Sequence, residues 1–180
     1  MMKPRKHHTR LVVLAAAGAL LAGCFESEQP KFSLASAAAP FGEGGRYVVY
    51  ERVENDQYRR QEVFVIKRRP DRAYDFVNEK GEAIRISLHA IGGDLFAGQA
   101  NNEQEKDKDK PAYAYVVFSV TGSEALLHIP QCDDEQDKAM LATFQVEVGR
   151  FECMIDRVAD PSELFKRLEL GKPASKLLRE

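Results

Sequence analysis

The chain has 180 residues, three Cys, no Trp and a formal net charge of -2. With 44% apolar and 30% charged residues, it excludes collagen-like, disordered and transmembrane-bundle classes. The length fits one domain, and the absence of a CxxC pair excludes a zinc ribbon or a thioredoxin-like site. Residues 1–10 carry Lys3, Arg5, Lys6 and Arg10 and no acid, and residues 11–22 are almost wholly apolar. A basic stretch followed by a short apolar run is a secretory-signal pattern. About a dozen helical residues span roughly 18 Å, short of a ~30 Å hydrocarbon core, which disfavours a permanent transmembrane helix.

The apolar run ends Leu21-Ala22-Gly23-Cys24. This resembles the lipobox of bacterial lipoproteins. The resemblance implies a signal peptide over 1–23, cleavage before Cys24, and a diacylglycerol on the Cys24 sulfur. Such a residue usually carries three acyl chains, and more than one chain gives stable anchoring at ~0.8 kcal/mol per buried CH₂. Phe25 follows, where Asp would favour inner-membrane retention in enterobacteria, so the resemblance favours the outer membrane with the domain in the periplasm. Removal of 1–23 leaves 22 basic against 28 acidic residues, a net charge of -6. Export and acidity exclude a nucleic-acid partner, which would want a basic footprint. His7 and His8 go with the signal, leaving His89 and His128.

Residues 24–44 contain Pro, Ala and Ser with no clean period and read as a flexible tether, about 25 Å long as a coil. The β-rich domain then runs over 45–180. Strands are expected at Tyr47–Tyr50, Val63–Ile66, Ala73–Val77 and Ile84–Leu88. The last alternates most clearly, with Ile84, Ile86 and Leu88 inward and Arg85, Ser87 and His89 outward on a solvated face. Further strands are expected at Leu95–Ala97, Ala112–Val120, Ala125–Ile129, Phe144–Val148 and Phe151–Ile155. Residues 133–141 are ambiguous, with Asp133 and Asp134 able to cap a short helix. A helix over 160–170 has Asp160 as N-cap, Pro161 at its first position, Glu163 behind, Leu164 and Leu168 inward, and Gly171 as stop. Leu177 and Leu178 in the tail are candidates to dock on the domain. Eight or nine short strands with one C-terminal helix make a mainly β fold, a small antiparallel barrel or sandwich.

Cys132 and Cys153 survive processing and, in an oxidising compartment, are expected to form a disulfide. Chemistry is otherwise sparse. Two distant histidines offer no metal spacing, and no cofactor or metal is expected. Ser87 and His89 lie on one strand face without an orienting acid or a nucleophile elbow. Asp133, Asp134, Glu135 and Asp137 fail the EF-hand pattern, and Gly92-Gly93-Asp94 opens no phosphate-binding helix. Arg59, Arg60, Lys67, Arg68, Arg69 and Arg72 form a basic run in an acidic protein, a possible surface for an anionic envelope partner.

The architecture resembles lipocalin-like carriers without their Gly-x-Trp entry, and lysozyme-inhibitor lipoproteins without their cysteine placement. The reading is therefore a membrane-anchored lipoprotein, a non-enzymatic envelope binding or assembly module. Its partners are the membrane through Cys24 and an envelope protein, an anionic lipid or an apolar ligand. A carrier of apolar cargo is the first alternative and a hydrolase built on His89 or His128 the second.

Overall fold

Alternation with period two sets the architecture. The computed structural model describes residues 25–101, 112–132, 138–149 and 152–180. Its strands are β1 (Phe25–Ser27), β2 (Gly44–Arg52), β3 (Tyr58–Arg68), β4 (Tyr74–Val77), β5 (Ala83–Gly92), β6 (Leu95–Asn101), β7 (Tyr113–Thr121), β8 (Glu124–His128), β9 (Glu147–Val148), β10 (Cys153–Met154) and β11 (Ser175–Arg179). Two helices, α1 (Lys138–Thr143) and α2 (Pro161–Arg167), lie between the later strands.

The expected mainly β fold is observed, and it is a barrel rather than a sandwich. Strands β2 to β8 run as an antiparallel meander in which each pairs with the next. The C-terminal β11 pairs with β8 on one side and β2 on the other, closing eight strands into a ring. Closure leaves the ring without an unpaired edge.

Inward residues fill the ring. Tyr47, Phe64, Tyr74 and Phe76 on β2–β4 face the small residues Ala100, Ala114 and Ala125 across it. Gly98 belongs to the same arrangement: a Cβ there would meet Phe118 and Val116 at 3.0 Å each. Phe41, from the segment before β2, enters the ring and meets Tyr47, Tyr74, Phe76 and Phe118 edge-on, with centroids 5.4–6.1 Å away. Edge-to-face packing of this kind adds to area burial.

A second core lies outside the ring, on the outer face of β5–β7. Phe25, Phe32, Tyr115, Val117, Leu164 and Phe165 meet there. One edge of β7 pairs with β6 over Tyr113–Ser119, while the other is divided between β8 at Val117–Thr121 and β1 at Tyr113–Tyr115. β1 in turn carries β10 and β9. Helix α2 begins as expected: the Asp160 carboxylate accepts from the Glu163 amide at 3.0 Å, and Leu164 and Phe165 are buried. It ends at Arg167, four residues before Gly171, because Leu168 already turns to an extended backbone.

Two expectations are corrected. The segment 25–44 is not a flexible tether. Phe25, Phe32 and Phe41 are buried, and Phe25 opens a strand. Nor are Cys132 and Cys153 joined. Both thiols are buried in the outer core, and the Cys153 Sγ is directed at the Cys132 carbonyl oxygen, 3.5 Å away, rather than at its sulfur. Even number and spacing do not fix side-chain direction, which a disulfide requires. Both sulfurs pack instead as small apolar groups.

Candidate functional site

The segment 25–44 crosses the outer face of β4–β7 as a strap, and buried polar groups hold it there. The Gln99 Oε1 accepts from the backbone amides of Lys31 and Phe32 at 2.8 and 2.9 Å, and its Nε2 donates to the Phe32 carbonyl at 3.3 Å. Gln99 thus stands in for a neighbouring strand. The Tyr115 hydroxyl lies 3.2 Å from Gln99 Oε1 and 2.7 Å from Ser27 Oγ. Burial pushes the Tyr115 phenol up to about 12, so it remains a neutral hydroxyl. Further along, the Ala38 amide donates to the Leu88 carbonyl at 2.7 Å, where β4 no longer covers β5.

His89 lies under the strap. Its ring stacks on Phe32 with centroids 4.6 Å apart and is 3% exposed. One ring nitrogen is 2.9 Å from Ser87 Oγ, the other 3.3 Å from Ser36 Oγ. Ser87 and His89 do point to the outer face, as the alternation predicts. That face is buried here, not solvated, because the strap covers it. Burial pushes the His89 imidazole down to about 4, partly offset by a backbone hydrogen bond at Ser36, so the ring is neutral at pH 7. No carboxylate hydrogen-bonds His89 or His128 among the described residues. His128, at the end of β8, has a buried Nδ1 without a hydrogen-bond partner among them. No group of three metal-ligating side chains occurs among them either.

The basic run does not form one patch. Arg59 and Arg60 lie at one end of β3, and Lys67 and Arg68 at the other, roughly 25 Å away at 3.3 Å per residue. Arg69 is engaged by Asp75 at 2.9 Å and Asp71 at 3.4 Å. Arg68 approaches Glu43 at 3.5 Å, and Arg72 donates to the Ala35 carbonyl at 2.6 Å. Arg72 therefore fastens the strap. The exposed Arg59, Arg60 and Lys67 form no ion pair with any described residue.

A cleft of about 320 Å³ remains beside the strap, which sequence reasoning missed. Its floor follows from strand register. Asp75, Arg85, Asn101 and Tyr113 are successive cross-strand partners on β4–β7, forming one transverse row. The next row holds Ser87, Gln99 and Tyr115, which the strap covers. The strap contributes Phe32, Ser33 and Leu34 as the wall, and Leu34 is 43% exposed. The sequence signal for this site is the polarity of outward positions on strands whose inward positions are apolar.

Other predicted features have structural roles or fall outside the described residues. Asp94, at the Gly92-Gly93 turn, accepts from Thr121 Oγ1 at 2.9 Å and ties the β5–β6 turn to β7. Cys24 and the lipobox, and Asp133, Asp134, Glu135 and Asp137, lie outside the described residues. Comparison with protein-family models, curated proteins and solved structures gives no match.

Proposed function

We propose that this is a lipid-anchored envelope protein, a non-enzymatic binding module whose barrel sits directly at the membrane surface. The observation that carries the reading is the burial of Phe25, the residue after the lipobox cysteine, within strand β1. With no tether between them, an acyl group on Cys24 would bring the membrane to the end of β1. A single fully buried Phe is worth about 2–3 kcal/mol, and the strap's hydrogen bonds add to that, so the seat is firm.

The module reading also draws on the outer-face cleft and on the absence, among the described residues, of a carboxylate hydrogen-bonded to either histidine. A carrier of apolar cargo inside the ring is compatible with the eight-stranded fold. Phe41 and the rings around it occupy that interior, which favours ligand binding on the outer face.

Membrane fractionation tests the anchor. The wild-type protein is expected in the membrane pellet with an acylated N-terminal peptide, and Cys24→Ala in the soluble fraction. Wild type recovered soluble and without acyl mass would overturn the anchored reading.

A further inference from the structure

We propose that residues 33–39, the middle of the strap, form a flap over His89 that acid opens. The inference stands apart from the anchored reading, since it concerns only the outer face of the barrel.

The flap is held differently from its flanks. Before it, the Phe32 backbone is tied to Gln99, and after it Phe41 is buried inside the ring. Between them Ser33, Leu34, Ala35 and Ser36 are exposed, and Leu34–Ser36 make one turn of 3-10 helix. The stretch is fastened by the Ala38 amide, which donates to the Leu88 carbonyl at 2.7 Å, and by Arg72, which donates to the Ala35 carbonyl at 2.6 Å. A segment held by a few hydrogen bonds, with its side chains in water, opens ahead of the global transition.

Beneath it lies a group that cannot take up charge in place. The Ser36 hydroxyl donates to the Ser33 carbonyl at 2.8 Å, which leaves its lone pairs for a proton on His89 Nδ1, 3.3 Å away. Nε2 then accepts from the Ser87 hydroxyl at 2.9 Å. A second proton must go to Nε2, which reverses that bond and creates a buried cation. The stacked Phe32 face returns only part of the lost hydration. β5 cannot turn the ring away, because it is paired with β6 along this stretch. The flap is the part that can yield.

The surrounding charges offer no relief among the described residues. On the same face, β6 presents Ala97 and Gln99, which do not titrate, and β7 presents the neutral Tyr115. On α2, the Glu163 carboxylate is bound to Arg167 at 2.7 Å and lies 3.9 Å from Lys166. Asp71 and Asp75 engage Arg69, Arg85 approaches Asp75 at 3.7 Å, and Asp156 accepts from the Glu28 amide at 3.0 Å. The imidazole is accordingly held at about 4 by burial, against 6.5 in water, with the Ser36 contact opposing the shift. An open flap lets His89 take its proton near 6.5, so falling pH favours opening between 6.5 and 4 and has no effect above.

Native-state hydrogen exchange on the full-length protein in detergent tests this. Protection of the Ala38 amide is expected to fall roughly fiftyfold between pH 7 and pH 4.5, with little dependence on added urea, because a local opening exposes little surface. His89→Gln should abolish that fall. The wild-type imidazole, followed by NMR, gives a second readout that needs no variant, with a midpoint near 4 expected. Ala38 protection that ignores pH, that falls only through urea-sensitive global unfolding, or that falls equally in His89→Gln overturns the proposal, as does an imidazole midpoint near 6.5. Acylation and membrane pelleting are read separately, so either reading can fail without the other.

Discussion

His89 shows how one residue's neighbourhood becomes a property of the whole protein. Its burial lowers the imidazole from 6.5 to about 4. On acidification the unfolded chain takes up a proton near pH 6.5 that the folded chain refuses until about pH 4. The associated stability is complete above pH 6.5 and is lost as pH falls through that window, by about 3 kcal/mol at most. His128 shifts in the same direction through burial and adds to the effect. Urea unfolding at pH 7 and pH 4.5 should show this loss in wild type and a smaller one in His89→Gln. Equal losses would show that His89 does not cause the pH dependence. Gln99 offers a second residue-scale test. Gln99→Ala leaves the buried amides of Lys31 and Phe32 without their main acceptor, at a cost of about 2–4 kcal/mol for the pair. Unchanged stability would mean that the strap does not depend on Gln99.

At the scale of elements, legibility followed periodicity. β5 was readable because apolar and polar positions alternate, and β7 because it is a long run of β-branched and aromatic residues; a turn residue bounds each. The helix α2 was readable from its cap, since Asp160 and Pro161 act locally. The strap was not. It pairs as strand for only three residues, and most of its fixation comes from distant side chains such as Gln99 and Arg72. The remaining signal was three phenylalanines, Phe25, Phe32 and Phe41, spaced without period in an Ala- and Ser-rich stretch. β11 was legible only as Leu177 and Leu178, because five residues at a chain end carry too little pattern to show what they close. The strap also gives the sharpest element-level test. Phe41→Ala would open a void among four aromatic rings and should cost about 3–5 kcal/mol. A loss below 1 kcal/mol in urea titration would mean that Phe41 does not fill the ring. Hydrogen exchange should likewise protect the Lys31 and Phe32 amides as strongly as those of β6, whereas a tether would exchange without protection.

At the scale of the molecule, one sheet serves two cores. The inner face of β5–β7 lines the ring, and the outer face is buried by β1, β10, α1, α2 and the strap. The sequence suggested polar outward residues on a solvated face, because a single strand's alternation tells which residues point together and not what covers them. For the same reason the six basic residues read as one cluster in sequence and divide in space, since an eleven-residue strand carries its two ends far apart. The candidate site emerged only from register, where Arg85, Asn101 and Tyr113, widely separated along the chain, become neighbours in one row.

The measurement that most directly tests the seated-barrel account is neutron reflectometry on a supported bilayer carrying the acylated protein. Anchoring at Cys24 with Phe25 already in the sheet predicts protein density continuous with the headgroups. A water layer of roughly 20 Å or more between headgroups and protein would be the signature of a coil of about twenty residues and would contradict the account. An absence of protein at the bilayer would contradict the anchor itself.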